Sequence, residues 1–397
     1  MLSFVAPIDS KLSGSQLQFL RILKNALLMR SEDLGPTNII LLKLSEKIHP
    51  YLAMELNDLI KVVKMSRHPP HKVKMIKTMH APSLGLTSKL ATHSNLFIGS
   101  GDLTDYCVVS LVQAITRRHI KRGILLGNVI TGLAPHIALY DMKHAIHTLK
   151  KLNIRNSTNV NIKACLLYLT RSLNIYDLIV TPGISLAKIL KRFRLRSKII
   201  PFKSPTIPMR FESPNPIKAS SLITLGFISR YFPGKGLTQV IEAVKNLKQK
   251  KRFNLIIFGV NRDLIFRRLK EFHKIEVYES LDPISLTYML RKVDILLYPS
   301  LIDSWAHIIP ESLALGIPVI TFDIEPFRNN FRRCKAVIRT CLSDSSKLVS
   351  ELESLIEDTS FLNELKYQAY EYAIETFNPD KVVEEFTKIV RLMSELG

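Results

Sequence analysis

Short apolar runs of strand length alternate with stretches of helical period along this chain, and they do so twice, on either side of a proline-rich break. That alternation is the pattern of parallel strands joined by crossover helices, and it argues against a sandwich or a helical bundle. Before the break, strands are expected at Leu2–Pro7, Asn38–Leu42, Asn95–Ile98, Gly123–Leu126 and Leu178–Thr181. After it they are expected at Leu222–Phe227, Asn254–Val260, Ile275–Tyr278, Asp294–Tyr298 and Pro318–Phe322. Between the first two strands, Leu17, Leu20, Leu23 and Leu27 recur at the spacing of one helix face.

The break spans residues 201–219, where Pro201, Pro205, Pro208, Pro214 and Pro216 stand too close together for a helix or a central strand. It reads as the linker of an α/β chain with two doubly wound, Rossmann-like domains facing a cleft. The first is expected over residues 1–200, the second over 220–376, and 377–397 as a C-terminal helix packing back on the first. Ligands of such folds bind at the carboxyl ends of the strands. The length of 397 residues, 46% apolar and 23% charged, suits this architecture and excludes a disordered or fibrous chain.

The net charge of +22 is concentrated in one half. Residues 1–220 hold 32 Lys and Arg against 11 Asp and Glu, whereas 221–397 hold 24 against 23. The first half is therefore expected to face something anionic: a phosphorylated acceptor, an acidic lipid surface or a nucleic acid. Two clusters carry much of the excess: Lys61, Lys64, Arg67, Lys72, Lys74 and Lys77, then Lys188, Lys191, Arg192, Arg194, Arg196 and Lys198. Contact with an anionic membrane surface is consistent with them. Neither cluster has the basic and aromatic interleaving of a nucleic-acid module.

Met1–Ser10 has no basic lead, so no signal peptide is expected. The charge-free stretch Gly123–Tyr140 holds three glycines, Asn128, Pro135 and His136, and reads as a strand and loop rather than a spanning helix. A cytoplasmic protein, at most peripheral at the inner membrane face, is the expectation. Cys107, Cys165, Cys334 and Cys341 lack metal or disulfide spacing and read as buried free thiols. His68, His71, His144 and His147 read as surface histidines, with no metal site.

Two segments carry chemistry. In Tyr298-Pro299-Ser300-Leu301-Ile302-Asp303-Ser304-Trp305-Ala306-His307-Ile308-Ile309-Pro310-Glu311 a strand ends, a loop carries Asp303, and Glu311 follows just inside a helix that Gly316 closes. Carboxylates accept hydrogen bonds from vicinal hydroxyls, and a loop with a helix N-terminus favours a phosphate, so a ligand with sugar and phosphate fits. In Gly226-Phe227-Ile228-Ser229-Arg230-Tyr231-Phe232-Pro233-Gly234-Lys235-Gly236, Arg230 and Lys235 can converge on one anion after the first strand of the second half.

These segments resemble the retaining nucleotide-sugar glycosyltransferases of the GT-B fold, the glycogen-synthase-like and mannosyltransferase-like group, clearly over residues 221–325. The resemblance implies that Arg230 and Lys235 hold the donor diphosphate, that Asp303 meets the transferred sugar, and that Glu311 holds the ribose. The same resemblance implies that Gly226, Ser304 and Trp305 lie beside the donor. The family's glycine-rich loop near the reaction centre falls at Gly14, and its sugar-contacting His at Asn128. Three departures stand out: Asp303 is one methylene shorter than the family's Glu, Ser304-Trp305-Ala306 replaces Gly-Phe-Gly, and Arg230 lies three residues later than usual. The Asp-x-Asp manganese signature of the other main glycosyltransferase fold does not occur, so cations rather than a metal are expected at the diphosphate, and no cofactor is implied.

The expected activity is transfer of a sugar from a nucleoside-diphosphate donor to an anionic, glycan or lipid-linked acceptor, with retention of configuration. Two other readings fit the same residues: a non-catalytic relative that binds polyanions or nucleic acid, and a nucleotide-sugar hydrolase or epimerase.

Overall fold

The computed structural model describes residues 2–8, 14–43, 48, 50–65, 71–77, 95–99, 121–125, 176–192, 195–218, 221–229, 233–248, 252–270, 272, 274–301, 303 and 305–395. Two units divide the chain within the proline-rich stretch: Met1–Ile207 with Pro379–Gly397, and Pro208–Asn378.

The first unit contains a parallel sheet of seven described strands: β1 (Leu2–Ile8), β2 (Thr37–Lys43), β3 (His71–Lys77), β4 (Asn95–Gly99), β5 (Lys121–Leu125), β6 (Leu178–Pro182) and β7 (Lys198–Phe202). They lie in the order β3-β2-β1-β4-β5-β6-β7, so the chain reverses its direction of growth between β1 and β4. The helices are α1 (Gly14–Met29), α2 (Ser31–Leu34), α3 (Pro50–Met65), α4 (Gly183–Lys191) and, from the far end of the sequence, α12 (Pro379–Glu395). Pro379 occupies the first position of α12, and Val382, Val383, Phe386, Ile389 and Val390 form one buried stripe along it. Phe386 is the anchor of that stripe, with ring centroids 6.0 Å from Phe4, 6.4 Å from Phe19 and 6.2 Å from Phe202. The same core takes Leu20, Leu23 and Leu27 of α1.

Three strands were not expected from the sequence: β3, β7 and, in the second unit, β13 (Val337–Thr340). All three lie at sheet edges. Pro201, assigned above to the linker, sits inside β7, where an edge position tolerates its missing N–H. The first basic cluster is therefore not one helical tract: Lys61 and Lys64 end α3, whereas Lys72, Lys74 and Lys77 belong to the edge strand β3. His71 opens that strand and is buried, its ring nitrogens 2.7 Å from Ser31 Oγ and 2.8 Å from Thr37 Oγ1. The surface assignment fails for His71 because these two hydroxyls satisfy the imidazole in the interior; His68, His144 and His147 lie outside the described residues. Cys334 is buried as expected and Cys341 is exposed, a correction, because it follows an edge strand; Cys107 and Cys165 are not among the described residues.

The second unit has a parallel sheet of β8 (Thr224–Ile228), β9 (Asn254–Phe258), β10 (Ile275–Tyr278), β11 (Ile295–Tyr298), β12 (Val319–Phe322) and β13, ordered β10-β9-β8-β11-β12-β13. Its helices are α5 (Leu237–Lys248), α6 (Arg262–Arg268), α7 (Pro283–Leu290), α8 (Ile308–Leu313), α9 (Glu325–Asn330), α10 (Ser345–Glu357) and α11 (Thr359–Phe377). From β8 the chain adds β9 and β10 on one side, then returns to lay β11, β12 and β13 on the other. The topological switch therefore lies between β8 and β11, and doubly wound sheets bind ligands beyond the carboxyl ends of the strands at such a point. Among the described residues no helix is long and apolar enough to cross a membrane.

Candidate functional site

The chain leaves β8 and enters a short 3-10 turn, Pro233–Lys235, before α5; it leaves β11 through Pro299 and Ser300. These two exits are bound together. Leu301 donates its N–H to the Gly234 carbonyl at 2.8 Å, and the buried Ser300 hydroxyl donates to the same oxygen at 3.3 Å. Gly236 sits at φ +80°, and a Cβ there would lie 2.0 Å from the Pro299 carbonyl oxygen. Only glycine allows both that backbone conformation and that approach.

The consequence is that Lys235, from the β8 exit, meets Asp303, from the β11 exit. Lys235 Nζ lies 2.6 Å from Asp303 Oδ2 and donates to Tyr298 Oη at 3.1 Å. The Tyr298 hydroxyl in turn donates to Asp303 Oδ2 at 2.7 Å. The lysine ammonium also stands 5.5 Å from the centroid of the Tyr298 ring. Asp303 is 5% exposed and the Lys235 side chain 24%, so a largely buried carboxylate has its cation on the more open side. Burial alone would lower the Lys235 pKa, but Asp303 and Tyr298 raise it above the ordinary lysine range, and the amine stays charged. Burial and the Asp303 charge push the Tyr298 phenol up, so it remains a neutral donor. Tyr298 is the member of this group that sequence reasoning missed: it was read as the last residue of a strand. A polar-tipped aromatic at a strand's carboxyl end, next to a carboxylate loop, is the signal that could have found it.

Glu311 lies on α8 and does not join this trio in any described contact. Its Oε2 accepts from the Met209 backbone N–H at 2.8 Å, so it fastens the start of the second unit to α8. The helix stops as expected at Gly316. That residue has φ +67°, its N–H donates to the Leu313 carbonyl, and the Ile317 N–H donates to the Ser312 carbonyl, which is a Schellman closure. A Cβ on Gly316 would meet Pro214 at 2.5 Å, and Glu212 N–H donates to the Ala314 carbonyl at 2.9 Å. Segment 209–214 is thus laid along α8.

The other expected site residues are placed differently or not at all. Trp305 is a core residue, 6% exposed, with ring centroids 5.4 Å from Phe331 and 6.4 Å from Phe377, and packing accounts for it. Gly226 lies within β8, pairing with Ile256 and Leu296, where Val293 leaves no room for a side chain: a Cβ would come within 2.7 Å of it. Gly14 opens α1 after β1, at the carboxyl edge of the first sheet. Arg230, Ser304 and Asn128 lie outside the described residues. No cluster of three or more His, Cys, Asp or Glu able to hold a metal occurs among the described residues. What the arrangement offers chemically is a cation for a phosphate oxygen, an acceptor for hydroxyls beside it, and a neutral phenol that orients both.

Residues 210–372 match the family model of the glycosyl transferases group 1. No curated protein matches the sequence significantly. Solved structures share its architecture. The Anabaena protein HepE in complex with UDP and glucose is 14% identical, aligned over 98% of this chain and 99% of that one, with a TM-score of 0.66. Sucrose-phosphate synthase from Thermosynechococcus elongatus is 10% identical over 100% and 99%, with a TM-score of 0.67. The lipopolysaccharide outer core galactosyltransferase WaaB, in its apo form, is 12% identical over 98% of each, with a TM-score of 0.60. At these identities the likeness establishes the fold, GT-B, as expected from the sequence.

Proposed function

We propose that this chain is a metal-independent glycosyltransferase that moves a sugar, with retention, from a nucleoside-diphosphate donor to an anionic, glycan or lipid-linked acceptor. The observation that carries the reading is the Lys235–Asp303 ion pair, 2.6 Å long, at the switch between β8 and β11. The second unit binds the donor and the basic first unit receives the acceptor.

In this reading Lys235, with Arg230, takes the donor diphosphate. Cleavage of the bond to the anomeric carbon builds negative charge on the departing phosphate, and a preformed cation there lowers the barrier without reorganisation. Tyr298 holds the Lys235 ammonium from its closed side, and Asp303 accepts from hydroxyls of the transferred sugar. Glu311 accepts from the ribose hydroxyls, which requires it to share or release the Met209 N–H. Gly14, Gly226, Ser304, Trp305 and Asn128 complete the set of proposed donor-side positions; Trp305 acts there through the packing of the loop rather than by contact. The basic clusters of the first unit are proposed to lie against an anionic leaflet that presents the acceptor.

The test is a thermal-shift panel of nucleotide sugars, beginning with UDP-glucose because HepE was solved with it. A ligand present at a hundred times its dissociation constant stabilises by about 2.7 kcal/mol. One member of the panel is expected to raise the melting temperature and to be consumed only when an acceptor is supplied. Stabilisation by none of them, or consumption of donor without acceptor, overturns the proposal. Flotation with acidic liposomes at low and high salt checks the membrane contact.

A further inference from the structure

A recess lies in the same unit at the amino ends of the central strands β8 and β11. Its floor is formed where β8 and β11 begin: Asp294 stands directly before β11, and its Oδ2 accepts from the N–H of Thr224, the first residue of β8, at 2.9 Å. Lys235 and Asp303 follow the carboxyl ends of those strands, so the two places are separated by the length of the sheet. The recess encloses about 630 Å³, the size of a small-molecule site.

Its lining is polar and its charge is unbalanced. Lys218, Arg291, Lys292 and Lys366 face it with two carboxylates, Glu212 and Asp294. Both carboxylates are already engaged: Lys366 Nζ is 3.1 Å from Asp294 Oδ1, and Arg291 is 2.5 Å and Arg210 2.8 Å from Glu212. Those ion pairs fix the positions of Lys366 and Arg291; Lys218 adds charge that neither lining carboxylate neutralises, and Lys292 is opposed only at 3.9 Å, by Glu276 outside the lining. Tyr288, well exposed, offers a ring face with the Arg291 guanidinium 5.8 Å from its centroid. Pro214 and Pro216 stiffen one wall, and Pro214 is seated against Gly316. A concave site with positioned cations, more lysine and arginine than carboxylate in its lining and an aromatic face is built for an anion with an organic part.

We propose that this recess binds a phosphate-bearing small molecule, its phosphate held by Lys218 and Lys292 beside the fixed Arg291. The site is independent of the donor reading and survives its failure.

Isothermal titration with inorganic tripolyphosphate in about 150 mM salt, where diffuse attraction to a basic protein is screened, tests this on the full chain. Measurements use the parent, Lys235→Ala, and each of them carrying Lys218→Gln with Lys292→Gln. Because both lysines are exposed, the pair of glutamines leaves folding intact, which the parent background verifies by its melting temperature. The expected result is saturable binding that persists in Lys235→Ala and is weakened at least tenfold by the two glutamines in both backgrounds. Binding that disappears with Lys235→Ala alone, that is indifferent to the glutamines, or that never saturates in the parent overturns the proposal.

Discussion

Replacing Lys235 by Met separates what the Lys235–Asp303 pair does for stability from what it does for a ligand. The methionine keeps the length of the stem and removes the charge, so Asp303, 5% exposed, keeps the Tyr298 hydroxyl at 2.7 Å and loses the ammonium at 2.6 Å. Breaking a buried pair on one side costs about 3–5 kcal/mol, because a charge is left without compensation. With the Lys235 side chain 24% exposed, water reaches the place and the lower end, about 3 kcal/mol, is expected. For a domain of this size that is a loss of roughly 6–12 °C in melting temperature. Adding Asp303→Asn removes the stranded charge while keeping an acceptor for Tyr298, so the double variant recovers at least half of the loss. On the proposed role, donor turnover falls with stability but is not rescued with it: Lys235→Met is expected to lower it by about a hundred- to a thousandfold, as loss of one preorganised charge contact does, and Asp303→Asn does not restore it. Scanning calorimetry and a donor-consumption assay read the two effects. A Lys235→Met protein within about 0.5 kcal/mol of the parent would refute the buried pair, and one with recovered stability and recovered turnover would refute the catalytic assignment.

Three further outcomes test the framework. Gly236→Ala puts a Cβ 2.0 Å from the Pro299 carbonyl at φ +80°, and denaturant titration should show a loss of more than about 2 kcal/mol, with the loop that holds Asp303 displaced. Phe386→Ala removes the ring shared by Phe4, Phe19 and Phe202; a cost of about 3–5 kcal/mol and faster amide exchange along α12 are expected, and an unchanged exchange pattern would sink the packing account. Burial lowers the His71 pKa below its ordinary 6.5. The unfolded chain therefore binds a proton that the folded one refuses, so this contribution is complete above pH 6.5 and declines as pH falls through the window between 6.5 and the folded value. The urea midpoint of the parent should drop over that window more than that of His71→Gln; parallel profiles would show that His71 is not the group responsible.

The strands that could not be read from the sequence all lie at sheet edges, although one edge strand, β10, was legible. β6, β11 and β12 are buried along their whole length, and their apolar runs Leu178–Val180, Ile295–Leu297 and Val319–Ile320 announce them. β3, β7 and β13 are edge strands: Lys72-Val73-Lys74-Met75 alternates polar with apolar, Pro201 interrupts β7, and Arg339 interrupts β13. Edges need lysine and proline to discourage pairing with other chains, which erases the apolar run that sequence reading looks for. The site divides in the same way. Lys235 and Asp303 do meet, as charged side chains at fixed offsets after β8 and β11 suggest, whereas Glu311 on α8 is engaged with the Met209 N–H. Tyr298 was not legible, since an aromatic ending an apolar run is what packing alone produces. The text around Asp303 likewise does not say which of its neighbours turns inward, as Trp305 does to Phe331 and Phe377.

If Lys235 takes the donor diphosphate as proposed, its pairing with Asp303 also bears on selectivity. A bare diphosphate drawn to Lys235 must approach an ammonium already 2.6 Å from a carboxylate, and that carboxylate repels it. A diphosphate that carries a sugar brings hydroxyls that can donate to Asp303, so the same carboxylate changes from a repelling group to an acceptor. Interactions of hydroxyls with a charged partner are worth about 1.5–3 kcal/mol each, enough to turn tenfold discrimination one way or the other. UDP-glucose, if it is the donor, is therefore expected to bind at least tenfold more tightly than UDP measured under the same conditions. Asp303→Asn removes the repulsion and weakens the acceptor together, so it should tighten UDP, loosen the nucleotide sugar and bring the two affinities within a few-fold. Calorimetric titration of both ligands into both proteins decides it: if the ratio of affinities is the same in the parent and in Asp303→Asn, the carboxylate has no part in telling a sugar-bearing diphosphate from a bare one.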